Sequence, residues 1–69
     1  KRQTSVDVAQ NIVVVRTMPG LASAACSALD NMDISGMVAS LAGDDVGILI
    51  MRDNDLAEQF IQEVHKLLK

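Results

Sequence analysis

The stretch SLAGDDVGILIM, Ser40 to Met51, sets a glycine and two adjacent aspartates ahead of an unbroken apolar run. Val46 to Met51 has the composition of a strand, and Met37 to Ala42 reads as its partner, so Gly43-Asp44-Asp45 stands at the tip of a β-hairpin. Two features of this hairpin are unusual. An antiparallel sheet with one wet face alternates apolar and polar residues, whereas Val46-Gly47-Ile48-Leu49-Ile50-Met51 does not. A two-residue turn favours Asn-Gly or Asp-Gly, whereas here two like charges are neighbours.

Upstream of the hairpin, Pro19 follows Met18 and opens a helix, where its fixed φ and missing N–H cost least. From Leu21 to Met32 the apolar residues Leu21, Ala25, Leu29 and Met32 fall at helical spacing, with Ser23, Cys26, Ser27, Asp30 and Asn31 on the complementary stripe. Asp33 to Gly36 ends this helix. Further upstream, Ser5 to Ala9 alternates, with Val6 and Val8 on one face. Gln10-Asn11 reads as a turn and Ile12 to Val15 as a second β-branched strand.

Downstream, Asp53-Asn54-Asp55 starts a second helix, with Asp55 as the cap and Glu58 three residues on. Leu56, Phe60, Val64, Leu67 and Leu68 form its buried stripe, and Lys66 and Lys69 sit where the helix dipole favours cations. The element order is ββαββα. The predicted fold class is α+β: two layers, a four-stranded, mostly antiparallel sheet with two helices on one face.

That architecture leaves a surplus of apolar residues. Two helices cover one face of the sheet, while Ile12-Val13-Val14-Val15 and Val46 to Met51 are apolar towards both. An exposed apolar patch of this kind marks a subunit interface, so the pattern predicts a homo-oligomer.

Length and composition exclude several classes of function. Sixty-nine residues make one small domain of marginal stability, for which a partner subunit is a common remedy. Cys26 is alone and cannot form an internal disulfide, which suits a reducing, cytoplasmic setting. One His and one Cys fall short of a closed zinc site, so no metal is expected. With Phe60 as its single aromatic residue, the chain lacks a stacking platform for single-stranded nucleic acid. A net charge of −3 and a pI near 4.7 oppose direct binding to a phosphate backbone. No apolar run reaches transmembrane length and no signal peptide is evident, so no membrane partner is expected. The chain opens on Lys1-Arg2-Gln3 without Met; residues 1–5 read as the remnant of a linker and residues 6–69 as the domain.

The carboxylates are the candidates for chemistry. Acids are common in turns, so Asp44 and Asp45 can be read as a solvated tip. Asp30 is less easily dismissed, because a negative charge at a helix C-terminus opposes the dipole. The other reading is a cation site with three carboxylates near one end of the sheet. Calcium would want a dedicated loop of oxygen ligands, which is absent. A guanidinium or ammonium fits better, since a planar guanidinium pairs bidentately with a carboxylate. No nucleophile or partnered His accompanies the acids, so an enzyme is not expected. His65 reads as a solvated surface residue, and Cys26 and the methionines as packing residues.

Met18-Pro19-Gly20-Leu21-Ala22, Ala28-Leu29-Asp30 and Ser40-Leu41-Ala42-Gly43-Asp44-Asp45 together resemble the C-terminal domain of the bacterial arginine repressors. The family pattern has a Pro-Gly helix start, a Leu-Asp near that helix's end and a Gly-Thr-Ile-Ala-Gly-Asp-Asp hairpin. The similarity runs from Val6 onward. It implies an oligomerisation and effector-binding module that forms trimers pairing into hexamers, with L-arginine between the trimers and no other cofactor. By position, Asp44 and Asp45 would hold the cationic groups of the ligand, with Asp44 on the guanidinium. Asp30 would line the same pocket, Ser40 and Ala42 would offer mainly backbone groups, and Ser23 stands where the family often has Gln. Ala39-Ser40 replaces the usual Gly-Thr, and Val46 a common Thr. The resemblance also implies a winged helix-turn-helix ahead of Lys1 that binds operator DNA, and a role in regulating arginine metabolism.

Two other readings compete. A ligand-independent oligomerisation domain needs no role for the acids. A small enzyme of the pterin-dehydratase type has a similar, DCoH-like strand and helix order, but its chemistry would want a cluster of histidines and only His65 exists.

Overall fold

The computed structural model of the chain describes residues 5–68, with side chains described as far as Lys66. The elements follow the predicted order: β1 (Ser5–Ala9), β2 (Ile12–Arg16), α1 (Ala22–Asn31), β3 (Met37–Ala42), β4 (Val46–Met51) and α2 (Asn54–Leu68). The four strands form one sheet in the order β1-β2-β4-β3, and every neighbouring pair is antiparallel. Lys1 to Thr4, where the linker remnant was expected, and Lys69 lie outside the described residues; Ser5 already belongs to β1.

The β1–β2 hairpin is closed by Gln10 and Asn11, with Ala9 facing Ile12. Gln10 takes a φ of +58°, as the first central position of a tight hairpin turn commonly requires. The β1 alternation is as expected: Val6 and Val8 are half-buried against the core, while Ser5 and Asp7 are exposed. In β2 and β4 the pleat sends Val13, Val15, Leu49 and Met51 to the helical layer, where they are almost fully buried. Full burial of such side chains contributes roughly 1.5–3 kcal/mol each.

Helix α2 covers β1, β2 and β4, and α1 covers β3 and β4. The buried stripe of α2 is Ala57, Phe60 and Ile61, flanked by half-buried Leu56 and Val64. It therefore includes the predicted Leu56, Phe60 and Val64 and is wider than expected; the side chains of Leu67 and Leu68 lie outside the described residues. The cap differs from expectation. Asp53, not Asp55, caps α2: its Oδ1 accepts from the Leu56 N–H at 2.8 Å, the third position of the helix. Asp55 lies inside the first turn, where its charge suits the helix dipole.

Helix α1 differs in two ways. It begins at Ala22, with Leu21 as its N-cap, because Pro19 and Gly20 form a separate turn in which Gly20 has a φ of +83°. Leu21 and Met32 flank the helix as caps and are half to mostly exposed, so they do not belong to its buried face. That face is Ala22 and Cys26, with Ala25 and Leu29 half-buried beside them. Cys26, expected on the polar stripe, is in the core. The reason is the close approach of helix and sheet: a Cβ added at Gly47 of β4 would run into Cys26 Sγ.

The sheet face away from the helices carries Ile12, Val14, Leu41, Val46, Ile48 and Ile50, with Leu41, Ile48 and Val14 in one cross-strand row. Leu41 is 74% exposed. This is the apolar surplus anticipated from the lack of alternation.

Candidate functional site

The hairpin joining β3 to β4 is closed by Gly43, whose N–H donates to the Val46 carbonyl at 2.8 Å. Asp44 and Asp45 form its tip and both are exposed. Their side chains make no hydrogen bond or ion pair among the described residues, but their carbonyls are engaged. The Asp44 carbonyl accepts from Gly20 N–H at 3.0 Å and Ala22 N–H at 3.3 Å, and the Asp45 carbonyl accepts from Thr17 N–H at 2.8 Å. The acidic tip is thus fastened to the segment between β2 and α1. Thr17, which is buried, spends its hydroxyl on the Met18 carbonyl at 2.9 Å.

Ser23 follows the segment to which this tip is fastened. It is exposed in the first turn of α1, next to Ala22, whose N–H meets Asp44. Ala42, half-buried at the end of β3, pairs with Gly47 and leads into the hairpin. Ser23, Ala42, Asp44 and Asp45 therefore share one end of α1.

Asp30 and Ser40 form a second group. The Ser40 hydroxyl donates to the Asp30 carboxylate, 3.1 Å from Oδ1 and 3.2 Å from Oδ2. Asp30 sits eight residues beyond Ala22, close to the other end of α1. At about 1.5 Å of rise per residue, that is roughly 12 Å along the helix. Three carboxylates near one end of the sheet were expected. Within a single chain two are at one end of α1 and the third is at the other, because α1 runs back along β3 from the hairpin tip.

Asp30 also bears on Cys26, one helical turn earlier. Burial first, and the Asp30 carboxylate second, push the Cys26 thiol up from its ordinary value. The thiol is accordingly held in its protonated, poorly nucleophilic form. Among the described residues no group of three or more His, Cys, Asp or Glu side chains is arranged to hold a metal ion. No described helix is long and apolar enough to cross a membrane.

Among the described residues, concave regions also lie elsewhere, lined by none of Ser23, Asp30, Ser40, Ala42, Asp44 and Asp45. One is a polar hollow lined by Asn11 and Arg52 to Asp55. The other is an apolar groove of about 640 Å³ between α1 and α2, lined by Leu29, Ile34, Leu56, Phe60 and Val64 among others. What the sequence reading missed is the backbone of Thr17, Gly20 and Ala22. The signal was present as Met18-Pro19-Gly20-Leu21, since Pro followed by Gly is the signature of a type II turn as well as of a helix start.

A two-layer ββαββα module with an apolar sheet face turned away from its helices and an exposed acidic hairpin belongs to the class of small α+β domains. Comparison with known proteins narrows the class. The family model described as "Arginine repressor, C-terminal domain" matches residues 2–66. A protein named arginine repressor from Acetivibrio thermocellus is 45% identical over 69 residues, all of this chain and 45% of that protein. Arginine repressors from Alkaliphilus metalliredigens and Thermotoga petrophila are 37% and 36% identical over 65 and 64 residues, covering 94% and 93% of this chain and 44% and 42% of theirs. The chain belongs to the arginine repressor C-terminal domain family, and it spans less than half the length of these relatives.

Proposed function

We propose that this chain is the effector-binding and hexamerisation domain of an arginine-responsive transcriptional regulator of arginine metabolism. L-arginine, bound between trimers, promotes the hexamer competent to bind operator DNA through a winged helix-turn-helix domain of the full-length, cytoplasmic protein. The observation that carries this reading is the Asp44–Asp45 pair, with both carboxylates exposed and both carbonyls fastened. A guanidinium bonds a carboxylate through two parallel N–H donors, and a fixed carboxylate loses less entropy on accepting them.

The separation of Asp30 from Asp44 supports a site shared between copies. One chain offers an acidic tip without a pocket, and the acid at the far end of α1 joins it only if a second copy supplies it. Carboxylates gathered from facing trimers repel one another, and a guanidinium relieves that repulsion. Arginine then contributes free energy to the hexamer alone, and by linkage shifts the assembly equilibrium. Ser23 and Ala42 line the hairpin end of this site, and Ser40 acts by holding Asp30.

Thermal shift with L-arginine, L-lysine and L-citrulline tests the reading. Arginine is expected to raise the melting temperature well above the effect of lysine, with none from citrulline, and Asp44→Asn is expected to abolish the response. Equal shifts with all three amino acids would reject arginine recognition.

A second reading is favoured by one specific feature, the open sheet face: a ligand-independent homo-oligomerisation domain needs only that patch. It predicts the same mass by light scattering with and without arginine, and no change with Asp44→Asn.

A further inference from the structure

Gly20 N–H and Ala22 N–H are two residues apart, yet both donate to the one carbonyl oxygen of Asp44. They converge because the chain reverses between Met18 and Leu21. Leu21 N–H closes that turn on the Met18 carbonyl at 3.1 Å, with Pro19 and Gly20 at its centre and Gly20 at a φ of +83°. This is type II geometry, in which proline presets the first central residue and the second needs a positive φ. The need at Gly20 is conformational and not spatial: a Cβ built there meets no heavy atom within 4 Å. Gly47, by contrast, is glycine because a Cβ would strike Cys26.

We infer that Gly20 is a positioning residue for the Asp44–Asp45 cation site, its left-handed backbone aiming two amides at the Asp44 carbonyl and so fixing the direction of the acidic pair. The inference rests on the reading of that pair as the arginine site. Gly20 touches no ligand in this scheme. It acts through the peptide it orients, and Thr17 N–H on the Asp45 carbonyl completes the mount. Without the mount, the two carboxylates would have to be ordered at the moment of binding, which costs affinity.

The test compares the wild-type chain with Gly20→Ala and Gly20→Asn. Alanine is strained at positive φ, while asparagine is accepted at this turn position. L-arginine titration by calorimetry should weaken roughly tenfold in Gly20→Ala, the factor expected for an L side chain forced into the left-handed region. Gly20→Asn should bind within about threefold of wild type, because the turn survives. Amide hydrogen exchange, read without ligand, should find the amides at position 20 and at Ala22 protected in wild type and Gly20→Asn, and exposed in Gly20→Ala. Arginine binding by Gly20→Ala equal to wild type would overturn the inference, as would equal weakening in both variants. If wild type itself ignores arginine, the arginine reading fails, and exchange alone decides the mount. Unprotected Gly20 and Ala22 amides in wild type would dismiss it regardless of ligand. Should Gly20→Ala not fold, Gly20→Asn and the wild-type exchange still decide: loss of binding in a folded Gly20→Asn with the two amides protected counts against the inference.

Discussion

Gly47 and Cys26 meet closely between the layers, and the pair shows how a side chain's size can outweigh its polarity in placing a helix. Over Ser23 to Ala28 the helix offers only Ala, Ser and Cys, whose hydropathies differ too little to mark a face. The buried face is chosen instead by fit, with a thiol opposite a missing Cβ. That is why Cys26 was legible as a packing residue but not as a core residue. Gly47→Ala should destabilise the fold by about 1–3 kcal/mol through overpacking. Urea titration should further show Cys26→Ala restoring much of the loss when combined with it; purely additive losses would mean the contact is not the cause. The thiol also links stability to pH. Because burial, and then the Asp30 charge, raise its pKa on folding, the folded state prefers the protonated form. Its contribution is therefore fully present below the unfolded value of about 8.5 and is lost as pH rises towards the folded value. The urea midpoint of wild type should fall more steeply as pH rises above about 8.5 than that of Cys26→Ala. Parallel alkaline slopes would remove the thiol as the cause.

At the scale of elements, the two strand pairs and both helices were readable from β-branched runs and helical spacing, while the helix starts were displaced. At the first, Pro19-Gly20 satisfied the rule for a helix start and the rule for a type II turn equally, and only Gly20's φ of +83° separates them. At the second, Asp55 was expected as the cap, but the place goes to Asp53, two residues earlier, because the cap is the side chain that reaches a free amide. Asp53 does, at 2.8 Å from Leu56 N. The consequence is measurable. Asp53→Ala should cost about 1 kcal/mol by removing the cap, whereas Asp55→Ala should cost only the dipole interaction, about 0.3–1 kcal/mol and diminishing with salt. Thermal melts at low and high salt separate the two, since the loss in Asp53→Ala should persist in high salt. The reverse order of destabilisation in high salt would restore Asp55 as the cap.

For the whole molecule, the deciding property is the one first visible in Val46 to Met51: strands apolar towards both faces. The helices account for Val13, Val15, Leu49 and Met51, and leave Val14, Leu41 and Ile48 as a row on the other side. The candidate site was legible only as a set of residue types, because its separation along α1 depends on which way the helix lies over β3. Both facts point to assembly, and one variant separates assembly from folding. Leu41 is 74% exposed, so Leu41→Lys removes little from the core and the isolated chain should keep its helical and sheet content by circular dichroism. In an oligomer that buries this row, the same lysine would carry an unpaired charge into an apolar interface, at a cost of several kcal/mol. Sedimentation should then find Leu41→Lys at the mass of one chain, 7.4 kDa, where wild type is several times heavier. The arginine response should vanish with it, since a site shared between copies cannot form on a monomer. A Leu41→Lys chain that assembles like wild type would move the interface off this face. A monomeric variant that still binds arginine with unchanged affinity would return the whole site to a single chain.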